Sequence, residues 1–341
     1  MPFIRPDDLR WQSLLALTSH DVYHLPGYCV IEAGLVQGDA LAWYHETDDM
    51  KCLIPLISRN INGSSLYRDL VSPYGYPGLL CNQQLNSEIA SGLFEIFHRE
   101  ASGQGYVSSF IRLNPLLNPW KLTGHEFFRQ WFHGGTVSID LQQPVEAILS
   151  GFSENHRRNL RKLATSGFLA AINDWRTIGD FIHAYRQTMN RRKADAYYFF
   201  PDSYFNNLQQ LLADRIVYIS ITNSAGKFVA GGIFTCFGEV IQYHLGATSN
   251  EAVHQSPSKL MMEEAIRFGI GVGARTLHLG GGLGGSTSDG LFRFKKGFGN
   301  YFHRFSSLRF IHHPDIYNRL RKESQAVDSQ TDYFPEYRHT R

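Results

Sequence analysis

The chain reads as an α/β protein, with α+β character, made of two copies of one β-β-β-α-β unit. Three observations carry that reading: two successive sets of three strand-like runs, an amphipathic helix after each set, and a short buried strand after each helix. A strand reached through a crossover helix enters its sheet parallel to a neighbour, so each unit is expected to hold a mixed sheet flanked by helices. A length of 341 residues suits two domains better than one, and 43% hydrophobic content supplies ordinary cores.

In the first half, "GYCVIEAG", "DALAWYHE" and "MKCLIPLISRNI" are the strand-like runs. "SEIASGLFEIFHREASGQG" follows as a helix ending in glycines, and "YVSSFIRLNP" as the last strand. In the second half, "RIVYISIT", the turn "NSAGK", "FVAGGIFTCF", the turn "GE" and "VIQYHLGAT" make three strands. "SPSKLMMEEAIRFGIGVGA" is then a helix, with Ser256 as N-cap, Pro257 at the first helical position and Glu263 paired with Arg267 four residues on. Gly271 and Gly273 end it, and "RTLHLGG" is the closing strand. The expected domains are 1–150 and 151–330, divided where "NHRRNLRKLATSGF" opens a new helical stretch, with 331–341 a loose tail.

Composition excludes several classes. Thirty-three basic against 31 acidic residues leave a formal charge of only +2, so no overall field announces a nucleic acid or a membrane. Cys29, Cys52, Cys81 and Cys236 are scattered without C-x-x-C spacing and read as reduced thiols. The 15 histidines include no H-E-x-x-H, and no metal or other cofactor is implied. No stretch approaches a membrane span, and acidic residues stand where a signal peptide needs an apolar run, so a cytoplasmic location is expected. Gly280, Gly282 and Gly285 fit G-x-G-x-x-G, but a dinucleotide fingerprint follows the first strand of a unit and opens a helix. Here the glycines follow the last strand, and "STSDGLFRFKKGFG" is a poor helix start.

Five patterns in order carry a resemblance. They are "SPYGYPG" (72–78) and "FIRLNP" (110–115) in the first half, then "IDL" (139–141) followed by the basic "NHRRNLRKLATSGF" (155–168). "MNRRKADAYYFFPDSYFNNL" (189–208) pairs arginines with tyrosines, and "LFRFKKGFG" (291–299) follows the glycines. In this order they resemble the Fem family of aminoacyltransferases, whose plan is two tandem GNAT-like domains. The resemblance implies transfer of an aminoacyl group from aminoacyl-tRNA to an acceptor with a free amine, with no metal and no separate cofactor. An acyl-CoA-dependent N-acyltransferase of the same fold is the alternative. The chain departs from the family at Tyr74, where peptidoglycan-building members often carry arginine, and lacks a coiled-coil arm. "HQSPSK" replaces the Q/R-x-x-G-x-G loop that holds the pyrophosphate of acetyl-CoA in ordinary GNAT enzymes.

Acyl transfer to an amine passes through a tetrahedral oxyanion, which a fixed cation or N–H donors stabilise. Lys295, matching with Phe294 the family's F-K pair, is the leading catalytic candidate, for that role or for a tRNA phosphate. Asp289 would orient Lys295 or cap the following turn. His244, next to Tyr243 on a strand, would be a cleft base or a hydrogen-bonded core residue. Arg157 and Arg158 lie in a stretch without Asp or Glu and would meet phosphates or form a solvated helix face. The resemblance places acceptor binding at Arg192, Tyr198 and Tyr204. Tyr74, Tyr76 and Arg112 belong to the first-half patterns, and Gly281 and Gly282 would let the backbone approach a ligand. No Ser-His-Asp or Cys-His arrangement supports a covalent acyl-enzyme.

Overall fold

The computed structural model describes residues 1–61, 64–122, 126–282, 289–324 and 333–339. The chain runs through β1 (Phe3–Ile4), α1 (Leu9–Leu17), α2 (Pro26–Leu35), β2 (Asp39–Glu46), β3 (Lys51–Ile61), β4 (Ser64–Val71), β5 (Leu80–Cys81), α3 (Ser87–Gly103), β6 (Tyr106–Arg112) and β7 (Phe128–Asp140). It continues through α4 (Val145–Ser150), α5 (Glu154–Thr165), β8 (Leu169–Ile172), α6 (Ile178–Arg191), α7 (Asp202–Leu212), β9 (Ile216–Thr222), β10 (Phe228–Phe237) and β11 (Val240–Thr248). It closes with α8 (Ser258–Gly271), β12 (Thr276–Gly281), α9 (Gly290–Lys296), β13 (Tyr301–Ile311) and α10 (Pro314–Glu323).

Packing divides the chain into two units, 1–133 with 304–341 and 134–303. In the first, β2, β3 and β4 are antiparallel neighbours, and β6, reached through α3, lies parallel to β4. In the second, β9, β10 and β11 are antiparallel, and β12, reached through α8, lies parallel to β11. The repeated β-β-β-α-β plan expected from the sequence is therefore present in both. In the second unit residues 136–140 of β7 pair with β12, and in the first residues 307–311 of β13 pair with β6. This is why packing cuts the chain at 133/134 and 303/304, whereas the sequence expectation puts the divide at 150.

The crossover helices show why these residues choose helix. On α3 the buried positions are Ala90, Leu93, Phe94, Phe97 and Ala101, spaced by three and four so that one stripe meets the sheet. Asn86 accepts from the Ile89 amide at 2.8 Å and starts the helix. Met261, Met262, Ala265 and Ile266 play the same part on α8, and Glu263 pairs with Arg267 at 2.7 Å. Ser256 does not cap α8: it sits at φ 58°, and Pro257 takes the N-cap position.

Three expectations are corrected. "GYCVIEAG" is not a strand but lies in α2: Pro26 fits the first turn, and the buried set Tyr28, Cys29, Glu32 and Ala33 has helical spacing. The third strand of the first unit is β4 instead. "STSDGLFRFKKGFG", expected to be a poor helix start, does start one: Asp289 accepts from the Phe292 amide at 2.8 Å and caps α9; residues 283–288, with Gly285, lie outside the described residues. The end of the chain is not a loose tail over 333–339. Tyr337 is buried and donates to Asp69 at 3.0 Å, and Arg338 grips both oxygens of the same carboxylate; residues 331–332 and 340–341 are outside the described residues.

Asp69 is fully buried and also accepts from Arg59 at 3.0 Å. Removing its charge leaves two largely buried guanidiniums uncompensated, a change that costs about 3–5 kcal/mol in comparable sites. Asp69→Ala should therefore lower the free energy of urea unfolding by about 3 kcal/mol or more. A change within experimental error would mean the 333–339 segment is not held through this carboxylate.

Candidate active site

The second unit contains a cleft of about 420 Å³. Asn155 and His156 at the start of α5, Arg191 and Arg192 at the end of α6, and Tyr243, Gly246 and Thr248 on β11 line it. Ser258 and Lys259 at the start of α8 and Arg293 and Phe294 on α9 complete the wall. Three arginines and a lysine border it without a carboxylate in the lining, so the cleft suits an anionic ligand.

Lys295 lies next in sequence to that wall. It is 8% exposed, and its ammonium donates to the Gly281 carbonyl at the end of β12, 2.6 Å away, and sits 5.8 Å from the Tyr243 ring centroid. Burial pushes its pKa down to about 7; the Arg192 guanidinium adds to the effect and the Asp289 carboxylate opposes it. A lysine in that state holds a proton or releases it near neutrality, so it can stabilise an oxyanion when charged or accept an amine proton when neutral.

The scaffold around Lys295 is specific. Asp289 caps α9, and a Cβ at Gly282 would stand 2.1 Å from its Oδ2, so the carboxylate fits only against glycine there. A Cβ at Gly281 would lie 3.1 Å from the Gly135 carbonyl. The close approaches at both glycines are thus made by the chain itself. At the other end of α9, the His156 ring is hydrogen-bonded to the Phe294 carbonyl at 2.9 Å, and the Ser153 amide donates to the Gly297 carbonyl at 2.9 Å. A carbonyl only accepts, so His156 carries its proton on Nε2; burial holds it neutral by lowering its pKa. A Cβ at Gly297 would reach 2.4 Å from this imidazole.

The candidates fall into five groups. Lys295, Phe294, Asp289, Gly281, Gly282 and Arg192 come together around the cleft and α9. Arg157 and Arg158 stand on exposed α5, Arg157 donating to the Ser150 carbonyl at 2.9 Å and Arg158 to Asn155 Oδ1 at 3.2 Å. His244 and Tyr204 meet each other instead: the Tyr204 hydroxyl is 3.1 Å from His244 Nε2, both are buried, and Tyr204 stacks on Phe200. Burial holds His244 neutral by lowering its pKa to about 4. Neither lines the cleft, because His244 and Tyr243 point to opposite sides of β11. Tyr198 is half-buried on a short 3-10 turn against Tyr197.

Tyr74 and Tyr76 on the 72–78 loop and Arg112 at the end of β6 belong to the first unit. The Arg112 guanidinium donates to the Ser72 carbonyl at 3.1 Å, and Asn114 donates to the Tyr76 carbonyl at 2.8 Å. The loop needs its glycines. Gly75 has φ 95° with the Tyr23 ring where a Cβ would be, and Gly78 has φ 62° against the Asn118 amide oxygen. Among the cleft residues that have no place among the sequence candidates are His156 and Lys259. His156 gives no sequence signal beyond its basic neighbours. Lys259 does: a cation in the first turn of a helix opposes the helix dipole. It is 3% exposed, and burial lowers its pKa, with Arg158 adding to the effect.

Comparison with known proteins gives the class. Residues 150–296 match the acetyltransferase (GNAT) domain family. With the repeated mixed-sheet unit, this makes the protein an acyltransferase built on two tandem GNAT-like domains. Its fold is that of FemX, to which it is similar with a TM-score of 0.71 and 14% identity, over 94% of this chain and 99% of that one. It is also similar to the C-terminal domain of a protein named as a lysylphosphatidylglycerol synthetase from Agrobacterium fabrum (TM-score 0.53, 12% identity, 93% of this chain and 95% of that one). L-PGS from Bacillus licheniformis gives a TM-score of 0.53 at 12% identity, over 91% and 93%. No curated protein matches the sequence. No described helix is long and apolar enough to cross a membrane.

The depressed Lys295 pKa has a measurable sign. Between about 7 and the ordinary 10.5 the unfolded chain binds more protons at this lysine than the folded one, so folding gains stability as pH rises through that window and loses it as pH falls to 7. Lys295→Met removes this titrating amine. Relative to the variant, the wild type should gain stability from pH 7 to 10 in urea titrations; parallel curves would mean that the amine is solvated.

Proposed function

We propose that the protein transfers an aminoacyl group from aminoacyl-tRNA to an acceptor amine, forming an amide bond. The observation that carries this reading is the buried Lys295 beside a cation-lined cleft, at the position of the F-K pair. The ester of the donor supplies the energy. The acceptor amine attacks the ester carbonyl, the cation at Lys295 stabilises the oxyanion, and the tRNA 3′ oxygen leaves with a proton. The reading is supported by the likeness in fold to a domain named as part of a lysylphosphatidylglycerol synthetase, a name whose product carries an aminoacyl group.

The exposed basic face of α5 supports a polyanionic donor. Arg157, Arg158, Arg161 and Lys162 have no ion-pair partner among the described residues, and Asn155 and His156 on the same helix line the cleft. Arg192 and Tyr198 are proposed to hold the acceptor, a peptide, peptidoglycan precursor or natural-product intermediate. Tyr74, Tyr76 and Arg112 are proposed to contribute to acceptor recognition from the first unit. The proposed location is the cytoplasm, where charged tRNA is found. The second reading, an acyl-CoA-dependent N-acyltransferase, is favoured by one finding, the match of residues 150–296 to an acetyltransferase domain.

Titration with charged tRNA and, separately, with acetyl-CoA at two salt concentrations divides the readings. Salt-sensitive binding of charged tRNA alone is expected, with the salt slope reduced in the double variant Arg157→Glu, Arg158→Glu. Binding of acetyl-CoA alone would replace the first reading by the second. Because Arg192 helps hold the Lys295 pKa down, Arg192→Ala should move the Lys295 limb of the pH–rate profile upward as well as raise the acceptor KM. A limb that stays in place would separate Arg192 from the lysine.

A further inference from the structure

The first unit contains a thiol pair that the scattered cysteine spacing conceals. Cys52 on β3 stands directly opposite Cys81 on β5, and their sulfurs are 3.0 Å apart. The Asn82 amide donates to the Lys51 carbonyl at 3.1 Å, which makes Lys51 and Asn82 the hydrogen-bonded pair. Cys52 and Cys81 are thus the adjoining non-hydrogen-bonded pair, in which opposite Cα atoms approach to about 4.5 Å. That separation lies within the roughly 4.4–6.8 Å range that a disulfide spans without backbone movement. Cys52 is fully buried and Cys81 half-buried, so an oxidant reaches Cys81 first.

The pair also sits at a structurally sensitive place. β4 leaves β3 at the Ile57–Val71 pair, and the chain rejoins β3 at the Leu53–Leu80 and Cys52–Cys81 pairs. Between these points runs the 72–79 loop that carries Tyr74 and Tyr76. Two strand pairs and the neighbouring Lys51–Asn82 hydrogen bonds hold its returning end to β3.

We propose that Cys52 and Cys81 form a thiol-modification site for low-molecular-weight disulfides of the glutathione class, which convert it to an intrachain disulfide that pins the 72–79 loop to β3. The Cys81 thiolate attacks one sulfur of the small disulfide, whose S–S bond breaks, and one small thiolate leaves and takes up a proton. Cys52 then loses its proton to solvent and attacks Cys81 Sγ, and the second small thiolate leaves and is protonated. In sum the two cysteines lose two hydrogens and two electrons, and one small disulfide becomes two thiols. The geometry favours this order: Cys52 donates its S–H to Cys81, which lowers the Cys81 pKa against the opposing effect of burial. The same hydrogen bond, with burial, raises that of Cys52. Cys29 and Cys236 have no cysteine neighbour among the described residues.

The test uses the full-length wild-type chain, reduced and then treated with oxidised glutathione, with peptide mapping by mass spectrometry. A Cys52–Cys81 linkage, with the intact mass lower by two hydrogens, is the expected result. Cys52→Ser should stop at a mixed disulfide on Cys81, and Cys81→Ser should leave Cys52 unmodified. Slower amide hydrogen exchange over residues 72–81 in the oxidised than in the reduced wild type is expected from the pinning. A stable mixed disulfide on wild-type Cys81, or modification confined to Cys236, would overturn the site. A formed linkage with unchanged exchange would overturn the pinning. The mapping needs no variant to fold.

Discussion

An ammonium taken out of water next to a guanidinium is unfavourable twice over, by lost hydration and by like-charge repulsion, and the second unit is organised around tolerating it at Lys295. The Gly281 carbonyl accepts a hydrogen bond from the amine whether it is charged or neutral. The Asp289 carboxylate supplies the opposing charge while it caps α9. Its approach to Gly282 leaves no room for a side chain there, and His156 and Ser153 hold the other end of the helix through its terminal carbonyls. Each contact fixes α9 as much as it fixes the lysine. A helix of seven residues makes too few internal hydrogen bonds to hold itself.

The same economy appears in the first unit. The 72–78 loop is shaped by two glycines in left-handed conformations and by side chains that substitute for sheet partners: Arg112 and Asn114 from the end of β6, with Asn118 beyond it. Loops of this kind carry function because a rigid scaffold presents them. Here the scaffold extends to the end of the chain, since Tyr337 and Arg338 converge on the buried carboxylate of Asp69 in β4, the strand that leads into the loop.

Much of this was legible in the sequence where periodicity is strong. The strands of the second unit, both crossover helices and the Glu263–Arg267 pair follow from alternation, helical spacing and turn residues. The "GYCVIEAG" run reads as a strand because β-branched and apolar residues favour a strand locally, while burial of Tyr28, Cys29, Glu32 and Ala33 on one side favours a helix. β4, with Arg68 and Asp69 in its centre, hides its strand character because Asp69 is buried by partners distant in sequence. His244 and Tyr204 could be read as site residues from their types alone; only packing reveals that they hydrogen-bond to each other.

By itself, the sequence determined the repeated unit, its mixed sheets and the clustering of basic residues on α5, because those properties are local or depend on spacing along one element. Tertiary structure decided the rest. It paired β7 with β12 and β13 with β6, drew residues 333–339 into the first unit, brought Cys52 opposite Cys81, and placed His156 and Lys259 in the cleft wall. It also turned Lys295 from one of two adjacent lysines into a buried amine with a pKa near 7. The reason is physical: burial and register are properties of partners far apart in sequence, and a side chain's chemistry follows the water and charge that those partners remove or supply.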